Sequence, residues 1–345
     1  MRLLFFSRGR GHGHAIPDMA IADQILAKRP HFDIRFASYS TGADTFRSAN
    51  RELIDMHLPE SNSFVSTLFS CSNVIIAESP SLIVAHEEYA AVAASVLHEV
   101  PSVYISAWLP QSGTIAAESL GYAKSVIVLE DPGIFPVPLE LRVQPSYSGP
   151  IIRPVSFTSK DRLRLRHEMG WAEECFYMLV VPGGGTSEGQ GSIADVVIST
   201  FMRLDIPRKK LIWISSKDHA FLSNRFSGFP DVEVSPFVDP IERLLSAADV
   251  IITKGTRGIT YDAAAVGVPS ISLSLGQNSI DDLIVPRIHS NLALNANAVE
   301  PNMLAQCIMN SIKPPYTPLR VPVKHALTHV ADAIIAAAES PSPAV

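Results

Sequence analysis

Residues 3–17 of the chain read LLFFSRGRGHGHAIP, and this stretch indicates the fold more clearly than any other. The continuous apolar run Leu3–Ser7 is typical of a strand that is covered on both faces, as in a parallel sheet. The glycines that follow permit a tight turn that a ligand can approach closely. Pro17 suits the first position of a helix. The stretch therefore predicts a strand, a glycine loop and a helix in succession.

The same alternation continues along the whole chain. The predicted strands, after Leu3–Ser7, are Ile34–Ser38, Asn73–Ala77, Ser102–Ser106, Ser125–Leu129, Tyr177–Val181, Leu211–Ser215, Val232–Ser235, Val250–Thr253 and Ser270–Leu273. The predicted helices include Pro17–Ala27, Ala85–His98, Ile193–Leu204, Ile241–Ala247 and Ile259–Val266. Strands that alternate with helices predict an α/β protein built on doubly wound, Rossmann-like parallel sheets.

Length and proline content predict two domains. A chain of 345 residues has room for two substantial cores. Prolines crowd the stretch Asp131–Pro154 and again Lys313–Pro322, where neither a central strand nor a helix interior is expected. We therefore expect an N-terminal domain over residues 1–145 and a C-terminal domain over 150–318. A helix over 322–339 returns to the first domain, and a disordered tail follows over 340–345.

Composition excludes several classes of protein. The 28 basic residues against 34 acidic ones give a net charge of −6, and no Lys/Arg-rich run is present, which argues against a nucleic-acid partner. Three widely spaced cysteines argue against a disulfide framework and favour a reducing, cytoplasmic environment. No apolar stretch approaches the roughly 20 residues of a membrane span, so only peripheral membrane contact is expected.

Two histidines distinguish the first glycine loop. A histidine just ahead of a helix N-terminus lies at the positive end of the helix dipole, which favours the neutral ring. A neutral imidazole can accept a proton from a hydroxyl, so His12 and His14 are candidate general bases. Capping or packing of the turn is the alternative, and a paired-histidine metal site lacks a visible third ligand nearby. NAD binding is disfavoured because no carboxylate ends the second strand.

A second glycine loop follows the strand Tyr177–Val181, where residues 177–189 read YMLVVPGGGTSEG. Backbone N–H groups of Gly183, Gly184 and Gly185, with the hydroxyls of Thr186 and Ser187, are suited to a diphosphate. The loop lacks the Gly-Lys-Ser/Thr ending of a P-loop nucleotidase.

Residues 236–269 read PFVDPIERLLSAADVIITKGTRGITYDAAAVGVP and resemble the donor-binding half of GT-B glycosyltransferases. The similarity is to the family 28 group that contains the peptidoglycan lipid-linked N-acetylglucosaminyltransferase. Asp262 stands five places before the Gly267-x-Pro element, as the acidic residue of that group does, and His14 matches its N-terminal histidine. The chain departs from the family in carrying Asp where Glu is usual, and Thr256 and Arg257 alter the customary glycine-rich turn.

The resemblance implies two Rossmann-like domains that face a cleft, and inverting, metal-independent transfer of a sugar from a nucleotide diphosphate, chiefly UDP, to a hydroxyl acceptor. The acceptor would be a small molecule, a lipid-linked molecule or a glycan. No cofactor and no metal are expected. His14 or His12 would be the base, with Gly11, Gly13 and Glu78 on the acceptor side. The donor would be held by the second domain through Gly183, Gly184, Gly185, Thr186, Ser187, Phe237, Val238, Lys254, Arg257, Gly258, Ile259 and Asp262.

Two other functions remain open from the sequence. A hydrolase or epimerase of the same fold would act on a nucleotide sugar without an acceptor. It needs further carboxylates, for which Glu78, Asp281 and Asp282 are candidates. The other possibility is a protein that binds nucleotide sugars without catalysis.

Overall fold

A computed structural model describes residues 1–59, 61–152, 155–182, 193–215, 219–236, 238, 240–274, 283–288, 290–313 and 323–340. The chain forms two compact units. Unit 1 comprises Met1–Ile151 together with Pro322–Val345, and unit 2 comprises Ile152–Val321.

Unit 1 is built on a parallel sheet. Its strands are β1 (Arg2–Ser7), β2 (Asp33–Ser38), β3 (Leu53–Asp55), β4 (Leu82–His86), β5 (Ser102–Ser106), β6 (Ser125–Val128) and β7 (Ser146–Tyr147). Its helices are α1 (Ala15–Lys28), α2 (Ser40–Ser48), α3 (Phe64–Glu78), α4 (Tyr89–Leu97), α5 (Ile115–Leu120) and, from the C-terminal part, α12 (Val323–Glu339). The strand order is β3-β2-β1-β4-β5-β6-β7.

Unit 2 repeats this arrangement. Its strands are β8 (Phe176–Val181), β9 (Lys209–Ser215), β10 (Val232–Pro236), β11 (Val250–Thr253), β12 (Ser270–Ser274) and β13 (Asn291–Asn295). Its helices are α6 (Arg162–Glu168), α7 (Ala194–Arg203), α8 (His219–Phe226), α9 (Glu242–Ala247), α10 (Arg257–Val266) and α11 (Pro301–Ser311). The order β10-β9-β8-β11-β12-β13 is again parallel throughout. The prediction of two doubly wound, Rossmann-like parallel sheets is confirmed.

Both sheets reverse their strand order at one point. In unit 1 the reversal lies between β1 and β4, and in unit 2 between β8 and β11. In open parallel sheets ligands bind in the crevice outside the carboxyl ends of the strands at such a reversal. The loops after β1, β4, β8 and β11 are therefore the places to search for function.

The helix α12 completes the core of unit 1. Its buried residues Val330, Ala331 and Ile334 belong to the same apolar cluster as Leu3 and Phe5 of β1. At the rim, the Lys28 ammonium lies 2.5 Å from the Asp332 carboxylate. Burial of an aliphatic side chain contributes roughly 1.5–3 kcal/mol, so the buried face of α12 is what holds it on the unit, and the exposed ion pair adds little.

One predicted strand is wrong. Asn73–Ala77 is the last part of α3, which begins after Ser63, whose hydroxyl accepts a hydrogen bond from the Ser66 N–H at 3.1 Å. Cys71 and Ile75, four residues apart, are buried while Ile76 is 62% exposed, which is the spacing of a helix face. A short apolar run without alternation fits a strand or a helix equally well, and here the N-cap decides.

The sequence analysis missed the strands β3, β4, β7 and β13, and the presence of β4 changes the position of two other predicted features. The predicted helix Ala85–His98 begins only at Tyr89, because Ala85 and His86 belong to β4. Glu78 lies at the amino-terminal edge of the sheet, where its backbone oxygen accepts from Arg2 Nη1 at 2.7 Å. The predicted acceptor-side role of Glu78 is therefore wrong, since the glycine loop lies at the opposite edge.

The sequence predicted no membrane-spanning segment. Among the residues that the structure describes, no helix is both long enough and apolar enough to cross a bilayer. The long helices α12 and α3 have 17 and 15 residues, below the roughly 20 that a span requires.

Candidate active site

The glycine loop after β1 packs closely against the start of α2. A Cβ atom on Gly9 would lie 2.3 Å from the backbone oxygen of Tyr39, so no other residue fits there. The Gly42 N–H donates to the Gly9 oxygen at 3.2 Å, and Gly11 has φ +63°. This path brings His14 to the N-cap position of α1, two residues earlier than Pro17 predicted.

His14 is paired with a carboxylate from the neighbouring strand. Its Nε2 lies 3.0 Å from Glu87 Oε2, and the two side chains are 15% and 10% exposed. Glu87 follows β4, whose register with β1 places His86 beside Ser7. The other Glu87 oxygen accepts from the Ala107 N–H at 3.2 Å. The pair thus spans the point where the strand order of unit 1 reverses.

The pairing assigns the tautomer of His14. An ionised carboxylate can only accept hydrogen bonds, so we place the proton of the neutral ring on Nε2. The lone pair is then on Nδ1, which has no hydrogen-bond partner among the described residues. A ring held by a carboxylate, with a lone pair on its other nitrogen, is the arrangement of a general base.

A second histidine–carboxylate pair lies behind the first. His86 Nδ1 is 2.7 Å from Asp18 Oδ1, and the Ser7 hydroxyl donates to the other Asp18 oxygen. Ser7, Asp18 and His86 are buried. The rings of His14 and His86 are almost perpendicular, with centroids 4.9 Å apart. The His86–Asp18 pair therefore packs against the His14 ring and helps to fix its orientation.

His12 takes a different position. Its Nδ1 lies 2.7 Å from the hydroxyl of Thr45 on α2. That hydroxyl donates to the Thr41 oxygen at 2.7 Å, so it accepts from His12. The structure therefore separates the two histidines of the loop, and it gives the carboxylate-paired position to His14.

Glu88 is a buried carboxyl group beside this pair. Burial raises its pKa to about 7, against the lowering effects of the Tyr39 hydrogen bond and the positive charge of Arg8. The Tyr39 hydroxyl lies 3.0 Å from Glu88 Oε2. The group therefore changes protonation state near neutral pH.

We expect Glu88 to make the stability of the chain depend on pH. Its folded pKa of about 7 is above the ordinary 4.5, so its contribution is fully present below pH 4.5 and is lost as pH rises to 7. The loss is on the order of 3 kcal/mol. Glu88→Gln should make the free energy of unfolding, measured by urea denaturation, depend less on pH between pH 5 and 8. The exposed Glu118→Gln is the control, and parallel curves for wild type and Glu88→Gln would contradict the prediction.

In unit 2 the predicted donor residues after β11 form a turn and the first half of α10. The Thr253 hydroxyl accepts from the Gly255 N–H at 3.1 Å, and this turns the chain after the strand. Lys254 and Arg257 are half-buried and Gly258 is exposed. Asp262 lies in the second turn of α10 and is only 6% exposed.

The remaining donor residues have mixed outcomes. The Ile259 side chain packs in the apolar cluster with Leu179 and Leu245, and its predicted donor contact stays a prediction. Val238 is 39% exposed. The other predicted members, Gly183, Gly184, Gly185, Thr186, Ser187 and Phe237, lie outside the described residues, as do Asp281 and Asp282.

Sequence reasoning missed Glu87, His86 and Asp18. The first two were placed inside a predicted helix, and Asp18 was seen only as a residue of α1. A signal was present, because residues 82–88 read LIVAHEE, an apolar run that ends in three titratable residues. Polar residues directly after a buried strand of a parallel sheet mark the edge where ligands bind.

No family model matches the chain. Among curated proteins, the UDP-N-acetylglucosamine--N-acetylmuramyl-(pentapeptide) pyrophosphoryl-undecaprenol N-acetylglucosamine transferase of Carboxydothermus hydrogenoformans is 27% identical over 125 residues. That match spans 35% of this chain and about a third (33%) of the length of the relative.

Solved structures match over nearly the whole chain. MurG of Acinetobacter baumannii has a TM-score of 0.63 at 14% identity and covers 97% of this chain and 99% of its own. The chain has the GT-B fold. The resemblance predicted from residues 236–269 is thereby confirmed.

Other GT-B structures differ in activity. A putative UDP-N-acetylglucosamine 2-epimerase from Listeria monocytogenes has a TM-score of 0.65 at 12% identity and covers 100% of this chain and 99% of its own. The glycotransferase of kitacinnamycin has a TM-score of 0.64 at 15% identity, with coverage of 98% and 95%. The GT-B fold alone thus does not choose between transfer and epimerisation.

Proposed function

We propose that the chain is an inverting glycosyltransferase that moves a sugar from a UDP-type nucleotide diphosphate donor to a hydroxyl acceptor, with His14 as the general base. The observation that carries the proposal is the His14–Glu87 pair at the strand reversal of unit 1, 3.0 Å between Nε2 and Oε2. The second support is the local match to a UDP-N-acetylglucosamine-using transferase.

The proposed reaction is a single displacement. The acceptor hydroxyl donates its proton to His14 Nδ1, and its oxygen attacks the anomeric carbon of the donor. The bond from that carbon to the diphosphate oxygen breaks, and the diphosphate leaves with the bonding electrons. Glu87 stabilises the imidazolium that forms. One displacement from the face opposite the leaving group inverts the configuration.

The donor is proposed to bind unit 2. Backbone N–H groups of residues 183–187 and the cations Lys254 and Arg257 neutralise the diphosphate, so no metal ion is needed to hold it. Asp262 accepts hydrogen bonds from the ribose hydroxyls, and Val238 and Phe237 border the base.

We expect Asp262→Ala to weaken UDP binding about 10- to 100-fold, because hydrogen bonds to a charged group contribute about 1.5–3 kcal/mol. Isothermal titration with UDP measures this on the folded variant, and UDP should no longer raise the melting temperature. Asp262→Glu, which restores the acid usual in the resembled family, should retain binding. Equal affinity of wild type and Asp262→Ala would remove Asp262 from the donor site.

Epimerisation is the second candidate function. The additional carboxylates that it needs are present as Glu87 and Glu88, both buried at the carboxyl edge of unit 1, and epimerases are among the GT-B relatives. Incubation with UDP-N-acetylglucosamine in deuterated water, without an acceptor, distinguishes the two. Deuterium at C2 of the sugar would favour the epimerase, whereas sugar transfer to an acceptor from a panel of small molecules, glycans and lipid-linked molecules supports the transferase.

A further inference from the structure

Three side chains that could coordinate a metal ion lie together beside the glycine loop. His14, His86 and Glu87 each offer one ligand atom, and these three atoms lie within 4.8 Å of one another. The sequence did not reveal this cluster, because His86 and Glu87 lie at the carboxyl end of β4, far along the chain from His14. We propose that His14, His86 and Glu87 form a binding site for one transition-metal dication of the zinc class.

The chemistry of the three donors suits such an ion. Two imidazole nitrogens and one carboxylate oxygen are a combination that zinc accepts, with a fourth position left for water. Bond lengths of 2.0–2.2 Å place tetrahedral ligand atoms about 3.4 Å apart. Because the three ligand atoms lie within 4.8 Å of one another, each pair must move closer by at most about 1.4 Å for one ion to bind all three.

The second ligand, His86, is already oriented for this role. Its Nδ1 is held by Asp18 at 2.7 Å, so Nε2 is the nitrogen that would bind the ion. The side chains of His86 and Asp18 are 3% and 0% exposed. A carboxylate behind a histidine fixes the tautomer and raises the basicity of the ligating nitrogen.

Charges of both signs surround the site. Carboxylates are contributed by Glu87 and Asp18, with Glu88 next along the chain. Arg8 opposes them, with Nη1 3.8 Å from Glu87 Oε2, and Arg10 lies close enough to Glu88 to act on its pKa. The Arg8 side chain is 25% exposed, so it can turn towards solvent when an ion replaces it beside Glu87.

Occupation of the site has a consequence for the proposed base, and this part rests on the proposed function. The ion takes the place of the proton that now lies between His14 Nε2 and Glu87. A neutral ring ligated through Nε2 holds its proton on Nδ1, so Nδ1 no longer accepts one from an acceptor hydroxyl. The ion therefore inhibits transfer.

The binding test needs no substrate. The chain, freed of metal with a chelator, is titrated with Zn²⁺ by calorimetry and with Co²⁺ by visible absorbance, and we expect one ion per chain. His86→Ala should abolish binding, and Asp18→Asn should weaken it 10- to 100-fold. The control is His57→Ala, because exposed His57 lies 3.6 Å from the Asp55 carboxylate, a histidine–carboxylate pair outside the cluster.

Two results would overturn the site: no binding of the ion by wild type, or equal binding by wild type and Asp18→Asn. The Asp18→Asn variant keeps the shape of the side chain, so it serves as the test if His86→Ala does not fold. The inhibition is tested separately with Zn²⁺ at one equivalent, which should stop turnover until chelator is added. Stimulation by Zn²⁺ would overturn the inhibitory role. Because ion binding is measured without a nucleotide, failure of the metal site and failure of the transferase proposal are distinguishable.

Discussion

Replacement of His14 by alanine is expected to lower kcat for sugar transfer about a thousandfold, since positioned acid–base groups contribute 10²–10⁴-fold to such rates. Nδ1 is the only position on the ring without a hydrogen-bond partner among the described residues, and the alanine variant has no group to accept the proton of the acceptor. The measurement is the steady-state rate of sugar transfer at saturating donor, together with donor affinity by calorimetry, which should be unchanged.

Two further variants separate His14 from its neighbours. Glu87→Gln keeps a hydrogen-bond partner for Nε2 but removes the negative charge, so we expect a smaller loss of kcat. His12→Ala should affect the rate far less, because His12 pairs with Thr45. If His12→Ala removes turnover while His14→Ala leaves it intact, the assignment of the base is wrong. If wild type binds donor but neither glycosylates an acceptor nor introduces deuterium at C2 of the sugar, the chain is a binding protein.

Replacement of Asp249 by alanine is expected to destabilise the chain by about 3–5 kcal/mol, the cost of breaking a buried ion pair. Asp249 Oδ2 lies 2.6 Å from Arg166 Nη2, and it also accepts from the Tyr177 N–H at 2.8 Å. The side chains of Arg166 and Asp249 are 4% and 17% exposed. Without the carboxylate, the Arg166 guanidinium remains buried and lacks an opposite charge, and the Tyr177 N–H in β8 loses its acceptor.

The loss at Asp249 is measured by urea or thermal denaturation, with an expected fall of about 10 °C in the melting temperature of unit 2. The matched control is Asp195→Ala, which removes a carboxylate that is 90% exposed and pairs with Arg225. Exposed pairs contribute little, so the control should melt as wild type does. Equal melting of the two variants would show that Asp249 has no such structural role.

Much of the fold followed from local pattern. Continuous apolar runs such as Val250–Thr253 and Ser102–Ser106 were predicted at their observed bounds, because a strand buried on both faces leaves no polar position in the run. The prediction of a strand over Asn73–Ala77 failed because the buried residues there follow a helical spacing, as Cys71 and Ile75 show. That single error displaced β4 and carried Glu78 to the wrong edge.

The candidate site divides in the same way. His14 was predicted because glycines and histidines are adjacent in the sequence before α1. Its partner Glu87 is 73 residues away, and the sequence does not tell which carboxylate a parallel sheet will bring beside a loop. The sequence likewise did not distinguish His12 from His14 as the candidate base. The structure does, because His12 pairs with Thr45 of α2.

The sequence by itself determined that this chain is a doubled α/β protein with a glycine loop in each half and the pattern of a GT-B donor domain. Hydrophobic periodicity and turn residues are local properties, and they are written in consecutive residues. Only the tertiary structure decided which histidine is paired and where three ligand-bearing side chains meet. The reason is the β1–β4 pairing, which joins residues that three helices and two strands separate in the chain.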